Sequence, residues 1–375
     1  MQLMIKFCVL TFLFSTLVLA QEAVPRLTRN SSASLGASFE YWASGEHQIS
    51  EWVLPVAVHY SVSDRLSITL INQPTIARLK RPAQDFNLSG LTDTRLGASF
   101  LFGGEKFLAT AGANFPTGKT ELDQDQLVVA QVIPLRELGL RTNYFGGGLD
   151  LSAGLSAALP FGNWVIGAGV GYLRMGAYTP IAGSGKYDPG EEMTLTLGLD
   201  RSFGEETKLL ADVTYSLYTA DTFEGADYFQ SGPRLIIEAR GYFPLKALDM
   251  SIMVRERLKA ANQSLQAQPS SNILKLQQEA ANSHGNELEV AVQCAYALSE
   301  RTGIDGLLQA KIYGTNELGT NGAAIFAAGG GWRRKLSSVL RLELGATFSY
   351  GSLKDESGSS AIAGFEFHSG MIYNF

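Results

Sequence analysis

The sequence predicts an all-β protein, a transmembrane antiparallel β-barrel of about sixteen strands, with fourteen as the nearest alternative. Three observations carry this. Segments of about ten to thirteen residues repeatedly alternate apolar and polar side chains, the period of a strand with two different faces. Connections are short and long by turns, as in barrels that cross a bilayer. The last segment places Phe365, Phe367, Met371, Tyr373 and the terminal Phe375 on one face and Gly364, Glu366, His368, Gly370 and Asn374 on the other.

Composition excludes the main alternatives. Glycine fills 40 of 375 positions and charged residues make up only 18%, against averages of ~7% and ~25%, while aromatics reach 10%. A chain of this kind is neither disordered nor nucleic-acid-binding. Its net charge of -6 gives no attraction to phosphate backbones, and two cysteines do not make a disulfide scaffold. After the leader, no run supplies the ~18 consecutive apolar residues of a membrane helix, yet mean hydropathy is slightly positive at +0.04. Apolar residues are therefore spread out, as alternating strands require.

Residues 1–20 carry one cation at Lys6, an apolar run from Phe7 to Leu19, and small residues Val18 and Ala20 before Gln21, which reads as a secretory signal peptide cleaved near Ala20. Residues 21–32 are expected to form a short periplasmic segment and 33–375 the barrel, located in the outer membrane of a Gram-negative cell. Cys8 lies inside the leader, leaving Cys294 as the single mature cysteine.

The strands follow in order. Ala33–Ala43 sets Leu35, Ala37, Phe39 and Tyr41 against Ser34, Gly36, Ser38 and Glu40; Glu51–Val62 sets Trp52, Leu54, Val56, Val58 and Tyr60 against Glu51, Ala57, His59 and Ser61; Arg65–Gln73 sets Leu66, Ile68 and Leu70 against Arg65, Ser67 and Thr69. The same reading gives strands at 93–103, 106–116, 147–159, 163–175, 192–203, 207–218, 232–243, 247–258, 286–299, 302–314, 321–334, 338–350 and 360–375. Soluble sandwich strands average only ~5–6 residues, whereas a bilayer needs ~9–11 at a tilt. An even strand number puts both termini on the periplasmic side. Loops 74–92, 117–146, 176–191, 219–231 and 259–285 then face outward.

Alternation also assigns the lumen face. Arg234, Glu238 and Arg240 point inward from one strand, Asp249, Arg255 and Arg257 from the next, and Glu287, Glu289 and Gln293 from the third; Asp305, Gln309, Lys311, Arg341 and Glu343 extend the polar wall. Symmetric turns would set Arg255 opposite Glu289, Arg257 opposite Glu287, Arg234 opposite Arg257 and Arg240 opposite Asp249, an Arg/Glu ladder near the outer end. Such a ladder either orients polar solutes at a constriction or neutralises itself and stiffens the wall. The facing strands present Asp150, Ser152, Gly154, Ser156, Gly167, Gly169 and Gly171, so little bulk fills that side. Loop 117–146 carries Leu127-Val128-Val129 and Val132-Ile133, too apolar for a solvated tip, and is expected to fold inward as a constriction. Within loop 259–285, residues 272–281 suit a short amphipathic helix as well as a loop.

Other motifs fail. Gly118-Lys119-Thr120 lacks the glycine five residues upstream that a phosphate-binding loop needs, since Ala113 stands there. Gly167-Ala-Gly169-Val-Gly171 has neither the spacing nor the strand-to-helix context of a dinucleotide site. His47, His59, His284 and His368 are scattered, with no second ligand at metal spacing, so no metal, cofactor or enzymatic activity is expected. His47 and His284, with Asp93, Asp123 and Asp125, are the residues an outer-loop protease would have to use.

One resemblance adds to this reading. Gly90-Leu-Thr-Asp93-Thr-Arg-Leu-Gly97, the strand Phe107–Phe115, and Pro116-Thr117-Gly118-Lys119 resemble the outer-membrane family named for the meta pathway of phenol degradation. That family is described as transporters and belongs with the aromatic-hydrocarbon and fatty-acid channels. It departs from the fatty-acid channels in having only Gln21–Ser32 before the first strand, too little for their N-terminal plug. The ending Met371, Tyr373, Phe375 likewise resembles the C-terminal signal read by the barrel-assembly machinery. The expectation is a passive channel, with outer-membrane lipid, that machinery and a small-molecule solute as partners and no nucleic acid. The resemblance implies small aromatic or apolar solutes; the polar lumen by itself suits hydrophilic ones. A structural or adhesive barrel that transports nothing is the other class.

Overall fold

The computed structural model describes residues 31–204, 206–267, 274–355 and 358–375. The expected leader and most of the expected N-terminal segment lie outside the described residues. Nineteen hydrogen-bonded segments form one closed antiparallel sheet, and because three strands are each interrupted once, they make sixteen barrel strands. These are β1 (Ser32–Ser44), β2 (His47–Val53 continued by Val56–Ser61), β3 (Leu66–Asn72 continued by Thr75–Arg81), β4 (Gln84–Gly90 continued by Thr94–Phe102), β5 (Phe107–Phe115), β6 (Asp150–Phe161), β7 (Trp164–Arg174) and β8 (Glu192–Phe203). The second half comprises β9 (Thr207–Tyr218), β10 (Arg234–Leu245), β11 (Leu248–Lys259), β12 (Glu287–Ala297), β13 (Thr302–Tyr313), β14 (Gly322–Lys335), β15 (Leu340–Asp355) and β16 (Gly358–Asn374). Each pairs with the next in sequence, and β16 closes on β1 from Ser32↔Asn374 to Ala43↔Ala363.

Closure satisfies every strand's backbone without an edge, the condition for crossing lipid. The outward face is correspondingly apolar: Leu197, Leu308, Phe326, Phe348 and Tyr350 are each at least 60% exposed. Near the short-turn rim Arg201 lies over the rings of Trp164 and Phe203, 4.6 and 4.5 Å from their centroids, an aromatic and cationic pairing suited to a headgroup layer. The chain is a transmembrane barrel of the outer-membrane type. Met371, Tyr373 and Phe375 face outward and are exposed at the short-turn rim.

The outward loop 74–92 of the sequence reading is strand instead, and so is most of the connection between the strands expected at 338–350 and 360–375. Residues 74–92 are the upper halves of β3 and β4, paired from Thr75↔Gly90 to Arg81↔Gln84. Pro74 has no N–H to give the ladder, and above it the polarity of the faces inverts. Ala77, Leu79, Phe86 and Leu88 are buried inward, while Arg78, Lys80, Asp85 and Asn87 are exposed outward. The outside there is water and the inside is packed, the reverse of the membrane zone, so an alternation read as apolar-outward vanished. Residues 351–359 are also mainly strand, with Asp355 paired to Gly358.

Loops above β7–β12 build a second, five-stranded sheet from Tyr187–Asp188, Asp221–Phe223, Ala226–Gln230, Gln263–Ala267 and Leu274–Gln278. The segment open to a helix or a loop is thus strand over Leu274–Gln278, paired with Gln263–Ala267; residues 272–273 of it lie outside the described residues. Charged and amide side chains at 275, 277 and 278 favour the hydrated edge strand over a buried helix face.

Candidate functional site: the lumen and its inserted loop

Loop 116–149 folds into the barrel. It opens with a helical turn, α1 (Gln124–Ala130), capped by Asp123, whose carboxylate accepts from the Gln126 N–H while the Gln126 side chain accepts from the Asp123 N–H. Val129, Ile133, Leu138, Leu140 and Phe145 then join Ile49, Ala77, Leu79, Phe86, Leu88, Ile325 and Ile362 of the inner wall in one buried cluster. The inward fold expected from the apolar patches at 127–133 is therefore present, and its core partners come from β2–β4, β14 and β16.

The loop is clamped where it enters and leaves. The two oxygens of the Asp93 carboxylate, in the break of β4, accept from the Gly118 N–H at 2.9 Å and the Gly147 N–H at 2.8 Å. A side chain on Gly118 has no room, since a Cβ would lie 2.0 Å from the Phe145 carbonyl oxygen.

Arg141 fixes the far side. Glu51, Glu40 and Glu366 occupy one rung, Glu40 being the direct ladder partner of both others. Three carboxylates abreast repel one another, and Arg141 sits among them: its Nε is 3.0 Å from Glu40 Oε1 and its Nη2 2.5 Å from Glu366 Oε1. The Arg141 N–H also donates to Glu40 and Glu51, and the Thr142 N–H to Glu51. Sequence reasoning placed Glu40, Glu51 and Glu366 on inward faces but did not join them, because the rung exists only once the barrel closes. Arg141 and Asp93 gave no signal of this role.

The Arg/Glu ladder stands on the other side. Glu238 Oε1 is 2.7 Å from Arg240 Nη2, Glu238 Oε2 is 2.6 Å from Arg255 Nη2, and Arg255 Nη1 is 3.1 Å from Glu289 Oε2. Gln309 donates to Glu289 at 2.6 Å, Arg257 pairs with Glu287, and Arg234 pairs with Glu192 at 3.0 Å. Arg255↔Glu289 and Arg257↔Glu287 are ladder partners as expected. Two expected pairs are not. Arg234 faces Lys259 rather than Arg257, and Arg240 faces Met253 rather than Asp249, which faces Pro244. For Arg234 the cause is a turn of two residues, Lys246 and Ala247, with Lys246 at φ +60°, where the symmetric four-residue turn assumed a register displaced by two; the Arg240 pairing is displaced by four, from Asp249 to Met253.

The remaining residues scatter along the lumen. Lys311 is the ladder partner of Glu289, and its Nζ lies 3.3 Å from where a Cβ on Gly139 of the loop would stand. Gln293 faces Ser251 and Leu307, and Asp249 faces Ala295, towards the short-turn rim. Arg341 and Glu343 pair with each other at 2.6 Å on β15, away from the ladder. Side chains of Arg234, Arg240, Arg255 and Arg257 keep 20–28% of their surface exposed, so the arginines of this wall stay partly open while Glu287 and Glu289 beside them are buried.

No protein-family model matches the sequence, and no curated protein does. Among solved structures the chain is similar to a loop-deletion variant of OmpT, an outer-membrane protein of Vibrio cholerae (11% identity, 92% of this chain and 98% of that one, TM-score 0.44). It is also similar to Pseudomonas aeruginosa OpdQ (8%, 92% and 99%, TM-score 0.46) and to the CymD monoaromatic hydrocarbon channel (9%, 92% and 88%, TM-score 0.42).

Proposed function

We propose that this protein is an outer-membrane channel for passive uptake of small molecules, its bore set by loop 116–149, and that it is not an enzyme. One observation carries the reading: the loop packs its apolar side against β2–β4, β14 and β16, while the charged wall of β10–β12 stays partly exposed to the lumen. A barrel of 16–18 strands encloses enough space for an aqueous passage, and an inserted loop narrows it to the scale of single solutes. The pore-lining residues are Arg234, Glu238, Arg240, Arg255, Arg257, Glu287, Glu289 and Lys311, with Asp249, Gln293, Arg341 and Glu343 lining the passage nearer the periplasm. Favoured solutes are small aromatic or apolar compounds, the class that the resemblance of Gly90–Gly97 and Pro116–Lys119 implies.

Liposome swelling with the full-length mature protein, using solutes graded in size and polarity, tests the reading. Swelling that depends on solute size is expected; folded protein that admits none of the solutes would make the barrel a structural or adhesive one.

A further inference from the structure

At the long-loop mouth, cations meet cations. Arg234 of β10 is the ladder partner of Lys259 of β11, with Arg257 two residues before Lys259 on the same inward face. The inserted loop adds Arg136, whose Nη1 is 3.6 Å from Glu287, the carboxylate already paired with Arg257. Arg136 is held there by its own carbonyl, which accepts from the Tyr313 hydroxyl at 2.9 Å. Like charges placed directly opposite destabilise a sheet, and here four converge from two strands and a loop.

The carboxylates present do not cancel them. Glu192 takes Arg234 and Glu287 is shared by Arg257 and Arg136; Glu279, the third carboxylate close by, accepts from Ser283. Lys259 instead points its Nζ at His284 Nε2, 3.0 Å away, which also faces the Asn262 amide at 3.1 Å. Burial first, then the Lys259 and Arg136 charges, hold the His284 imidazole below its usual value, so it is a neutral acceptor that brings no negative charge. Two guanidinium donors are left over: Nε of Arg234 and Nε of Arg257 are both buried and have no hydrogen-bond partner among the described residues. Buried donors without acceptors are costly, and a group of these cations with unused N–H bonds is chemically complementary to an oxyanion, which a guanidinium binds through two parallel hydrogen bonds.

We infer that Arg136, Arg234, Arg257 and Lys259 form a binding site for the oxyanion group of a small solute at the mouth of the lumen. It rests on the channel reading for its physiological purpose and not for its existence. The oxyanion is a carboxylate or a phosphate, held at the point where a solute passes between loop and wall. For an aromatic solute, this makes the acid rather than the parent hydrocarbon the recognised form.

The test is titration calorimetry of full-length protein in detergent with benzoate and with inorganic phosphate, on wild type, on the double variant Arg234→Gln/Lys259→Gln, and on Lys275→Gln in the outer sheet as a control. Heat-modifiable migration confirms that each is folded. Binding of at least one probe that weakens tenfold or more in the double variant, and is unchanged in the control, is expected; benzoate alone assigns carboxylate solutes and phosphate alone assigns phosphorylated ones. Equal affinities in wild type and double variant, or no binding of either probe, overturn the site. Because binding is measured without conduction, a channel that proves silent in bilayers leaves this result standing on its own.

Discussion

Replacing Arg141 by Ala should release the inserted loop. The guanidinium is 9% exposed and is the cation set among Glu40, Glu51 and Glu366, with contacts of 3.0 Å to Glu40 and 2.5 Å to Glu366. Removing one partner of a buried pair costs about 3–5 kcal/mol, because the other charge stays buried without it. Here the rung is left with its carboxylates facing the loop without that guanidinium, Glu40 and Glu51 keeping the backbone N–H groups of residues 141 and 142 and Glu366 keeping His368, whose Nδ1 is 3.7 Å away. Taken as a bias between loop inserted and loop displaced, that energy is about two to four decades in the equilibrium. A loop that sat inside essentially always would then be displaced for a substantial part of the time. Single-channel recording reads this directly: wild type should give steady steps, and the Arg141→Ala protein larger steps with added open-channel noise. The reasoning fails if the variant is folded and records the wild-type step size and noise.

Other perturbations follow from the same geometry. Asp93→Ala removes the two charge-assisted hydrogen bonds that clamp the loop ends, worth about 1.5–3 kcal/mol each, and should raise loop cleavage by added protease; an unchanged cleavage rate would leave Asp93 without a clamping role. Arg255→Ser/Arg257→Ser should shift the reversal potential in a salt gradient, since each cation lies in the partly exposed lumen wall; an unaltered potential would make the ladder a structural brace. Leu197→Arg places a charge at an outward position that is 66% exposed and should cost about 2–4 kcal/mol in a folding titration in lipid vesicles if the residue lies near mid-bilayer. Deleting Phe375 should impair assembly in cells, and normal heat-modifiable migration of the deletion would exclude a terminal signal.

The barrel was legible because lipid forces one face of every crossing strand to be apolar, so Leu195, Leu197 and Leu199 of β8 or Trp52 and Val56 of β2 declare their direction without any tertiary knowledge. The same rule failed at residues 75–90, where strands rise out of the bilayer and a packed loop reverses the polarity of both faces. Which residues share a strand face followed from parity alone, and Arg255 with Glu289 was paired correctly. Arg234 and Arg240 were not, because the two-residue turn at Lys246 and Ala247 sets their partners two and four positions further along β11, and alternation is blind to shifts by an even number of residues. The carboxylate rung was hidden for a different reason. Glu40 and Glu366 are 326 positions apart in the chain and become neighbours only through closure of β16 on β1.

The central claim is a lumen that conducts past an inserted loop, and single-channel conductance of the wild-type protein in a planar bilayer tests it most directly. The account predicts steady, discrete steps, smaller than those of the Arg141→Ala variant. Silence from correctly folded wild-type protein, with conduction appearing only when the loop is released, would contradict it and make loop 116–149 a plug.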